Sequence, residues 1–461
     1  MPSPAPSPST TTPPLDRELG FWQASALNMA NMVGIGPFIT IPSFIAAMQG
    51  PHAIIAWVMA ALLVLCDGLV WAELGAALPG SGGSYHYLRE IFGRYRWGRI
   101  LPFLFIWQFL VSGALELASG YVGAMGYVQY AIPQLEESLK LWGISNGSQF
   151  LAAAAVVVVT ALLCQRIKNI GWLGIILCTG TLITVLSVIV LGLTHFDASL
   201  LSVPPDAFTW SPQFATGLGA AMAIAIYDYF GYFNVCHLGE EVRDPGKTIP
   251  RSILVSILVI ASLYLTMNVA IMGVIPWQEA MESKHIASDF VERICGRNVA
   301  IGFTGLILWT SLACMFAATL AYSRIPYAAA QGGDFFAFFG KLHPTKRFPW
   351  VSLIVMGLFT MIFCFIPLED LVSAAVCVRI GIQFMGQVVA LHFYRSTHPA
   401  ASMPFRMWLY PIPSLIAFFG WSFLLATSKG YILLFSLIVI ATGILAYGIR
   451  HAMSTKGSTS S

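Results

Sequence analysis

Two short segments interrupt long apolar runs of this sequence with residues that break a helix. Residues 31–38 read NMVGIGPF, and residues 227–232 read YDYFGY. Proline removes a backbone donor and clashes with the preceding helical turn, while glycine permits non-helical angles. A helix is therefore predicted to stop and restart at each segment. Such a break exposes unpaired amides on one side and unpaired carbonyls on the other.

Two helix ends of this kind could bind both charged groups of an α-amino acid. The amide end carries positive dipole charge and can hold a carboxylate, whereas the carbonyl end can hold an ammonium group. Each break taken alone could equally be a packing kink or a close helix crossing. Breaks at matched positions in two halves of a chain are typical of inverted-repeat transporters, so the pair favours a substrate site.

The composition indicates that both segments lie in a membrane. The chain has 461 residues, of which 57% are apolar and only 10% are charged, whereas soluble proteins carry about 25% charged residues. A soluble globule of this size could not cover its surface with so few charges. An aromatic content of 13% excludes a largely disordered chain. A net charge of +3 gives no indication of a nucleic-acid partner. The sequence predicts an all-α integral membrane protein.

Twelve apolar stretches are candidates for membrane-spanning helices, which need about 20 residues each. They lie near residues 22–48, 52–77, 100–131, 149–164, 171–193, 213–238, 251–275, 299–329, 349–366, 369–394, 408–427 and 430–449. An even number of spans puts both termini on one side. If that side is the cytoplasm, the cytoplasmic segments hold 18 of the 24 Lys and Arg and the outer segments hold five. We therefore expect a multi-pass protein of the cell (inner or plasma) membrane with both termini cytoplasmic.

Four charged residues are predicted to lie deep in the membrane. A charged side chain there costs about 2.5–3.5 kcal/mol, so each is expected to have a structural or functional role. They are Asp67, Glu116, Asp228 and Arg379. Arg379 can neutralise only one of the three acids. Asp228 adjoins the second break, so it could cap the unwound backbone, pair with Arg379 or contact a cationic group. We interpret Asp67 as structural.

Three segments at span ends resemble the motifs of the amino acid–polyamine–organocation (APC) transporters. Residues 71–93 (WAELG, PGSGGSY and HYLREIFG) resemble the signature loop of that family. Residues 239–250 (GEEVRDPGKTIP) resemble its EE-x-x-x-P…P motif, and residues 323–331 (SRIPYAAAQ) its SR-x-x-YA-x-A segment. The resemblance covers roughly residues 20–450, and the L-type amino-acid transporter branch with its bacterial relatives is most similar in appearance.

The resemblance implies a LeuT-like fold with helices 1 and 6 broken. Residues 21–198 would form a first repeat of five helices, and residues 199–396 a second, inverted one. Residues 397–450 would add two C-terminal helices. Residues 1–20, which are rich in Pro, Ser and Thr, and residues 451–461 would be cytoplasmic tails.

The resemblance also implies a substrate site on the unwound backbone of the two broken helices. Tyr227 would close over the substrate from outside, and Asn31 would lie just before the carboxylate-binding backbone. With the acids included, the expected substrate-binding residues are Asn31, Val33, Gly34, Ile35, Gly36, Ser112, Gly113, Glu116, Tyr227, Asp228, Phe230 and Gly231.

Two departures from the family pattern bear on the break and on coupling. Pro37 follows Gly36, where many members have Gly-Ile-Phe, so the first break should be sharper. Proton-coupled relatives carry a lysine in the fifth helix, where this sequence has Thr181. We therefore expect exchange of substrates, or coupling to sodium or to a proton on another acid. Thr319 is a candidate sodium ligand, and Arg379 the candidate charge partner of an acid.

The leading hypothesis is a secondary transporter that moves amino acids by alternating access. If Asp228 pairs with Arg379, small zwitterionic L-amino acids should be preferred. If Asp228 is free, it could act with Glu116 in a permease for polyamines or cationic amino acids. A non-transporting membrane sensor or scaffold is the alternative from another class. The sequence shows no catalytic constellation and no metal-ligand spacing among its His and Cys, so neither an enzyme nor a cofactor is predicted.

Overall fold

The secondary structure of the described residues is α-helical, with short 3-10 and π segments and two isolated β-bridges. The computed structural model describes residues 17, 19–95, 98–141, 146–164, 170–345, 348–398 and 403–458. In chain order its α-helices are α1 Phe21–Met32, α2 Gly36–Met48, α3 Ile54–Ala77, α4 Ser84–Phe92, α5 Ile100–Ala131, α6 Gln134–Leu141, α7 Gly147–Leu163, α8 Ile170–Thr194, α9 Pro212–Tyr229, α10 Pro245–Met272, α11 Trp277–Glu282, α12 Ile286–Cys295, α13 Arg297–Gln331, α14 Trp350–Phe363, α15 Leu368–Arg379, α16 Gly386–Thr397, α17 Ile412–Thr427 and α18 Gly430–Ser458.

Within the part of the chain that the structure describes, six helical stretches are long and apolar enough to cross a membrane. They are Pro51–Ala77, Ile100–Ala131, Pro245–Met272, Arg297–Gln331, Leu368–Thr397 and Gly430–Ala452. Helices α1 and α2 together form a seventh candidate, while α7, α14, α17 and part of α8 are shorter apolar helices. The predicted class, an all-helical multi-pass membrane protein, is confirmed. The count of twelve spans and the inverted repeat stay predictions.

The first predicted break is present between α1 and α2, whose axes differ by 53°. Helix α1 ends at Met32, Val33 has an extended backbone, and α2 restarts at Gly36. Pro37 is the second residue of α2, a position whose amide has no intrahelical partner, so the missing N–H costs nothing there. The Gly-Pro pair thus ends one helix and starts the next.

The second break follows α9 and lies against the first. Gly231 has a φ of +111°, and a short 3-10 turn, Asn234–His237, follows it in place of a continued α-helix. A Cβ atom on Gly231 would lie 2.9 Å from the Asn31 Cβ and 3.0 Å from its carbonyl carbon. Glycine is therefore required at this position by both its backbone angle and the close approach of α1.

A third irregularity, which was not predicted from the sequence, follows α15. Residues Ile380–Met385 form a π-helix that joins α15 to α16. The π-helix begins directly after Arg379, the buried cation, and contains Phe384, whose ring stacks on Trp421 of α17 at 4.1 Å between centroids. Such wide turns are frequent at functional sites.

Asp67 joins the second break to the helices behind it. Its carboxylate accepts hydrogen bonds from the Tyr232 hydroxyl at 2.5 Å and from the Trp421 indole at 3.0 Å. Tyr232 directly follows Gly231, and α3, which carries Asp67, packs against α9, α10 and α17. The structural role expected for Asp67 agrees with these contacts.

One buried ion pair ties the end of α3 to α16. The Arg395 guanidinium donates to both carboxylate oxygens of Glu73, at 2.5 and 2.6 Å, and the Met407 amide adds a third hydrogen bond at 2.8 Å. The side chains are only 8% and 1% exposed. Because both charges are paired bidentately, this contact fixes α3, α16 and the chain before α17 relative to one another.

Removing one partner of this pair should destabilise the protein strongly. In Glu73→Ala, the buried Arg395 charge loses its partner, so we expect the free energy of unfolding to fall by about 3–5 kcal/mol. Reversible unfolding in mixed micelles measures the change. The double variant Glu73→Leu/Arg395→Met should recover most of the loss. Lys140→Met is the control, because its pair with Glu136 is exposed, and it should change stability by less than about 0.5 kcal/mol. If Glu73→Ala and Lys140→Met lowered the free energy of unfolding equally, the buried ion pair would not have this role.

Candidate functional site

A cavity of about 80 Å³ lies where the two breaks meet. Its wall comes from the end of α1, the start of α2, the middle of α5, the end of α9 and the middle of α13. The structure brings nine of the twelve expected substrate-site residues to this wall. They are Asn31, Gly34, Ile35, Gly36, Glu116, Tyr227, Asp228, Phe230 and Gly231.

The start of α2 presents backbone amides to the cavity. The amides of Gly34 and Phe38 donate to backbone carbonyls, and Pro37 has no N–H. The amides of Ile35 and Gly36 have no backbone acceptor within the described ranges. Because the helix dipole places positive charge at this end, an anionic group would be stabilised there.

Asp228 lies against the first turn of α2 with half of its carboxylate unsatisfied. The Thr40 hydroxyl donates to Oδ2 at 2.6 Å, whereas Oδ1 is buried without a hydrogen-bond partner among the described residues. A Cβ atom on Gly36 would lie 2.2 Å from Oδ1. The residue is 3% exposed and forms no ion pair in the described part of the chain. A buried carboxylate oxygen of this kind is expected to meet a cation, a proton or a donor.

Arg379 pairs with Glu116, so the suggested pair between Arg379 and Asp228 is wrong. Its Nη2 lies 2.5 Å from Glu116 Oε2, and its Nε donates to the Ser112 hydroxyl at 3.1 Å. The guanidinium also lies 4.6 Å above the ring of Phe230, a favourable position for a cation. The cation is thus fully engaged on the α5 side of the cavity and leaves Asp228 without it.

Helix α5 places one polar face against the cavity, with Glu116 in the wall and a serine on either side of it. Ser112, Glu116 and Ser119 follow each other at intervals of four and three residues, which places them above one another on the same face. The Ser119 hydroxyl bonds to the Glu116 carbonyl at 2.6 Å and lies 2.7 Å from the Tyr227 hydroxyl. Tyr227 is thereby tied to α5 across the site.

Three expected substrate residues lie just outside the cavity wall. Val33 is buried in the break itself, and Ser112 contacts Arg379. Gly113 packs against Tyr322, where a Cβ would lie 3.2 Å from the ring. The two coupling candidates, Thr181 on α8 and Thr319 on α13, are also buried away from this wall, and the Thr319 hydroxyl donates to the Met315 carbonyl.

The sequence profile of the amino acid permease family matches residues 19–452, almost the whole chain. The chain belongs to the amino acid permease family.

Known relatives of this permease are transporters of several kinds. It is 25% identical to the serine/threonine exchanger SteT of Bacillus subtilis (strain 168), over 90% of this chain and 91% of that protein. It is 27% identical to the cystine/glutamate transporter of Homo sapiens, over 88% and 79%. It is 26% identical to the cationic amino acid transporter 4 of Mus musculus, over 84% of this chain and 61% of that longer protein.

Several residues of the permease site were not foreseen from the sequence. Tyr322 donates to Glu116 Oε1 at 2.8 Å, and Thr40 bonds Asp228. Cys314 lies against the first break, where a Cβ atom on Gly34 would lie 2.9 Å from its sulfur. Thr40 stands one helical turn after Gly36, a spacing that could have identified it. Nothing in the sequence indicated which face of α13 points to the cavity.

A methyl group at residue 36 should disable the permease. The Cβ of Gly36→Ala would displace the Asp228 carboxylate, which the Thr40 bond and burial hold in place. We expect uptake to fall by about tenfold or more, the ratio that corresponds to roughly 1.4 kcal/mol. Radiolabelled uptake, normalised to the amount of protein at the membrane, measures the effect.

Gly302→Ala on α13 is the matched control for this substitution. A Cβ at residue 302 would meet nothing within 4 Å, so its uptake should equal that of the wild type. Normal uptake by Gly36→Ala would mean that the α2 end and Asp228 do not form the transport site.

Proposed function

We propose that this permease is a secondary transporter that moves amino acids across the membrane by alternating access. The single observation that carries the proposal is the cavity between two touching helix breaks, lined by the backbone turn at Ile35 and Gly36 on one side and by Asp228, whose Oδ1 has no partner among the described residues, on another. An α-amino acid carries a carboxylate and an ammonium group two bonds apart. The two walls offer one partner for each charge.

In this proposal the substrate carboxylate binds the amides of Ile35 and Gly36. These two amides, which have no backbone acceptor among the described residues, would then each donate to a charged oxygen. The substrate ammonium would bind Asp228 Oδ1 and backbone carbonyls at the end of α1. Both interactions replace unsatisfied buried groups with charge-assisted hydrogen bonds, so they favour binding.

Small zwitterionic L-amino acids suit the cavity best. The Glu116–Arg379 pair is neutral as a unit, and the apolar part of the wall includes Phe230, Met315 and Ala318. The cavity of about 80 Å³ leaves little room for a long side chain. A zwitterion brings no net charge into this space. The relation to the serine/threonine exchanger agrees with such substrates.

Alternating access would follow from the contact between the breaks. Gly231 packs on Asn31, so a substrate that draws the two segments together would move both broken helices at once. Residues 21–198 and 199–396 are the proposed inverted repeats, in a twelve-span LeuT-like arrangement with both termini cytoplasmic. Tyr227 is the proposed outer lid, held to Ser119 in the described state.

Transport is proposed to be driven either by exchange of an internal for an external substrate or by an ion that reaches Asp228. Thr181 offers no cation at the position where relatives carry lysine. A proton on Asp228, or sodium with Thr319 as one ligand, would supply the positive charge when no substrate is bound. The alternative of a non-transporting sensor or scaffold has no specific contact in its favour.

The second candidate is a permease for cationic amino acids or polyamines. This candidate is favoured because Arg379 pairs with Glu116 and not with Asp228. When Asp228 is ionised, the cavity therefore carries one uncompensated negative charge. A substrate with net positive charge would neutralise the site. The relation to the cationic amino acid transporter 4 agrees with this candidate.

Asp228→Asn separates the two candidates. Purified protein in liposomes loaded with one amino acid is tested with labelled alanine, serine, arginine and putrescine, with and without proton and sodium gradients. If Asp228 binds the α-ammonium of zwitterions, the variant should lower apparent affinity for alanine and serine by about tenfold, as expected for loss of a charged hydrogen bond. Glu136→Gln, which removes an exposed carboxylate of α6, should leave uptake unchanged.

Other results of this assay assign the function differently. Loss of arginine or putrescine transport alone, with alanine and serine still moving normally, would favour the second candidate. Absence of transport of every compound by the wild-type protein would contradict both transport proposals.

Substitution of Tyr227 tests the proposed lid. Tyr227→Ala should weaken apparent affinity and admit larger side chains, because the ring that narrows the cavity is removed. Tyr227→Phe should retain the wild-type substrate range, since only the bond to Ser119 is lost. Competition of a panel of amino acids against labelled alanine measures both. If Tyr227→Ala showed the same pattern of competition as the wild type, Tyr227 would not be the lid.

A further inference from the structure

The Glu116–Arg379 pair forms part of the boundary of the substrate cavity rather than lying deep behind it. Glu116 lines the cavity with 18% of its side chain exposed, while Arg379 directly behind it is 2% exposed. Tyr322 and Phe230, which touch the pair, line the cavity too. Glu116, together with Tyr322 and Phe230, therefore separates the substrate space from a buried guanidinium, and Glu116 is the group among these three that carries a charge.

The Arg379 guanidinium has the surroundings of a carboxylate-binding site. Ser112 orients it through Nε, and Phe230 supports one face of its plane at 4.6 Å. Its one carboxylate partner among the described residues is Glu116, at 2.5 Å, which also accepts from Tyr322. A guanidinium held by fixed neighbours recognises any planar carboxylate with suitable geometry, whether it belongs to the protein or to a ligand.

We infer that Arg379 is an anion subsite of the substrate cavity occupied by the protein's own Glu116, and that Glu116 thereby excludes amino acids with acidic side chains. The inference rests on the proposed amino-acid transport and names a substrate class that the native site rejects. With Glu116 present, the pair is neutral and Asp228 leaves the cavity negative, so a second substrate carboxylate is repelled. Without Glu116, the guanidinium faces the cavity and the local charge rises by one.

The side chain of Glu116 ends in the group that aspartate and glutamate carry. Its removal would leave both a space and the partners Arg379 and Tyr322 for such a side chain. The backbone amides of Ile35 and Gly36 would still hold the α-carboxylate. Glu116 is therefore a specificity-determining residue in this inference, and Arg379 the group that it masks.

The test compares Glu116→Ala with Glu116→Gln and with Glu116→Ala/Arg379→Gln in liposomes. Glu116→Ala should raise the ratio of glutamate or aspartate uptake to alanine uptake by about tenfold or more, because hydrogen bonds between ionised groups are the strong ones. Glu116→Gln fills the space with a neutral group and should show no gain. The double variant lacks the guanidinium and should show none either.

A binding measurement keeps the test independent of transport. Sodium formate should raise the melting temperature of purified Glu116→Ala relative to sodium chloride at equal ionic strength, because formate can occupy the vacated carboxylate position. Neither the wild type nor the double variant should respond. This readout also separates the inference from the proposed function: a wild type that moves no amino acid contradicts the function, while formate still reports on Arg379.

Two results would overturn the inference. The first is that Glu116→Ala is not stabilised by formate and shows no gain in glutamate or aspartate uptake. The other is a gain of acidic uptake that persists when Arg379 is also replaced, since the carboxylate would then bind elsewhere.

Discussion

A chain that spans a membrane must satisfy its backbone hydrogen bonds internally, and the site of this permease consists of the few places where it does not. Both breaks free amides or carbonyls in a region with no water to receive them. Each freed group must therefore be bonded by another side chain, or be left for a ligand. The backbone groups that no side chain bonds are therefore the ones available to a ligand, and they define the candidate site.

Side chains of neighbouring helices satisfy several of the backbone groups left without a helical partner. The Tyr264 hydroxyl of α10 donates to the Met32 carbonyl at the first break, at 2.6 Å. Within α2, the Tyr127 hydroxyl of α5 donates at 2.6 Å to the Phe38 carbonyl, which lacks its helical donor because Pro42 has no N–H. On the other break, the Val235 amide donates to the side chain of Asn28 at 2.8 Å. These bonds hold the unwound segments in place. The groups that remain open therefore face the cavity in a fixed geometry, which reduces the ordering cost of binding a substrate.

The sequence alone was sufficient to predict the two helix breaks, but it was insufficient to predict the partners of the buried charges. Gly36, Pro37 and Gly231 act through their own backbone chemistry, so their effect could be predicted without knowledge of any neighbour. The partner of Arg379 depends instead on the rotation of α5 and α15 about their axes, which side-chain packing decides. Glu116 and Asp228 were both deep acids in the sequence, and only the fold shows which of them the guanidinium reaches. For the same reason the cavity face of α13, with its tyrosine and cysteine, could not be assigned.

The distribution of buried charge now limits what the cavity can hold. Glu73 is neutralised by Arg395 and Glu116 by Arg379, while Asp67 is held by two neutral donors behind the second break. Among the described residues, Asp228 is the deep acid that combines a carboxylate oxygen without a hydrogen-bond partner with a position on the cavity wall. An ionised carboxylate without a partner is costly in this environment, so the proposed binding of a positively charged group at Asp228 would stabilise the site. In the proposed function this charge comes with the substrate, a proton or a coupling ion, and it would link the occupancy of the site to the closure of the two breaks around it.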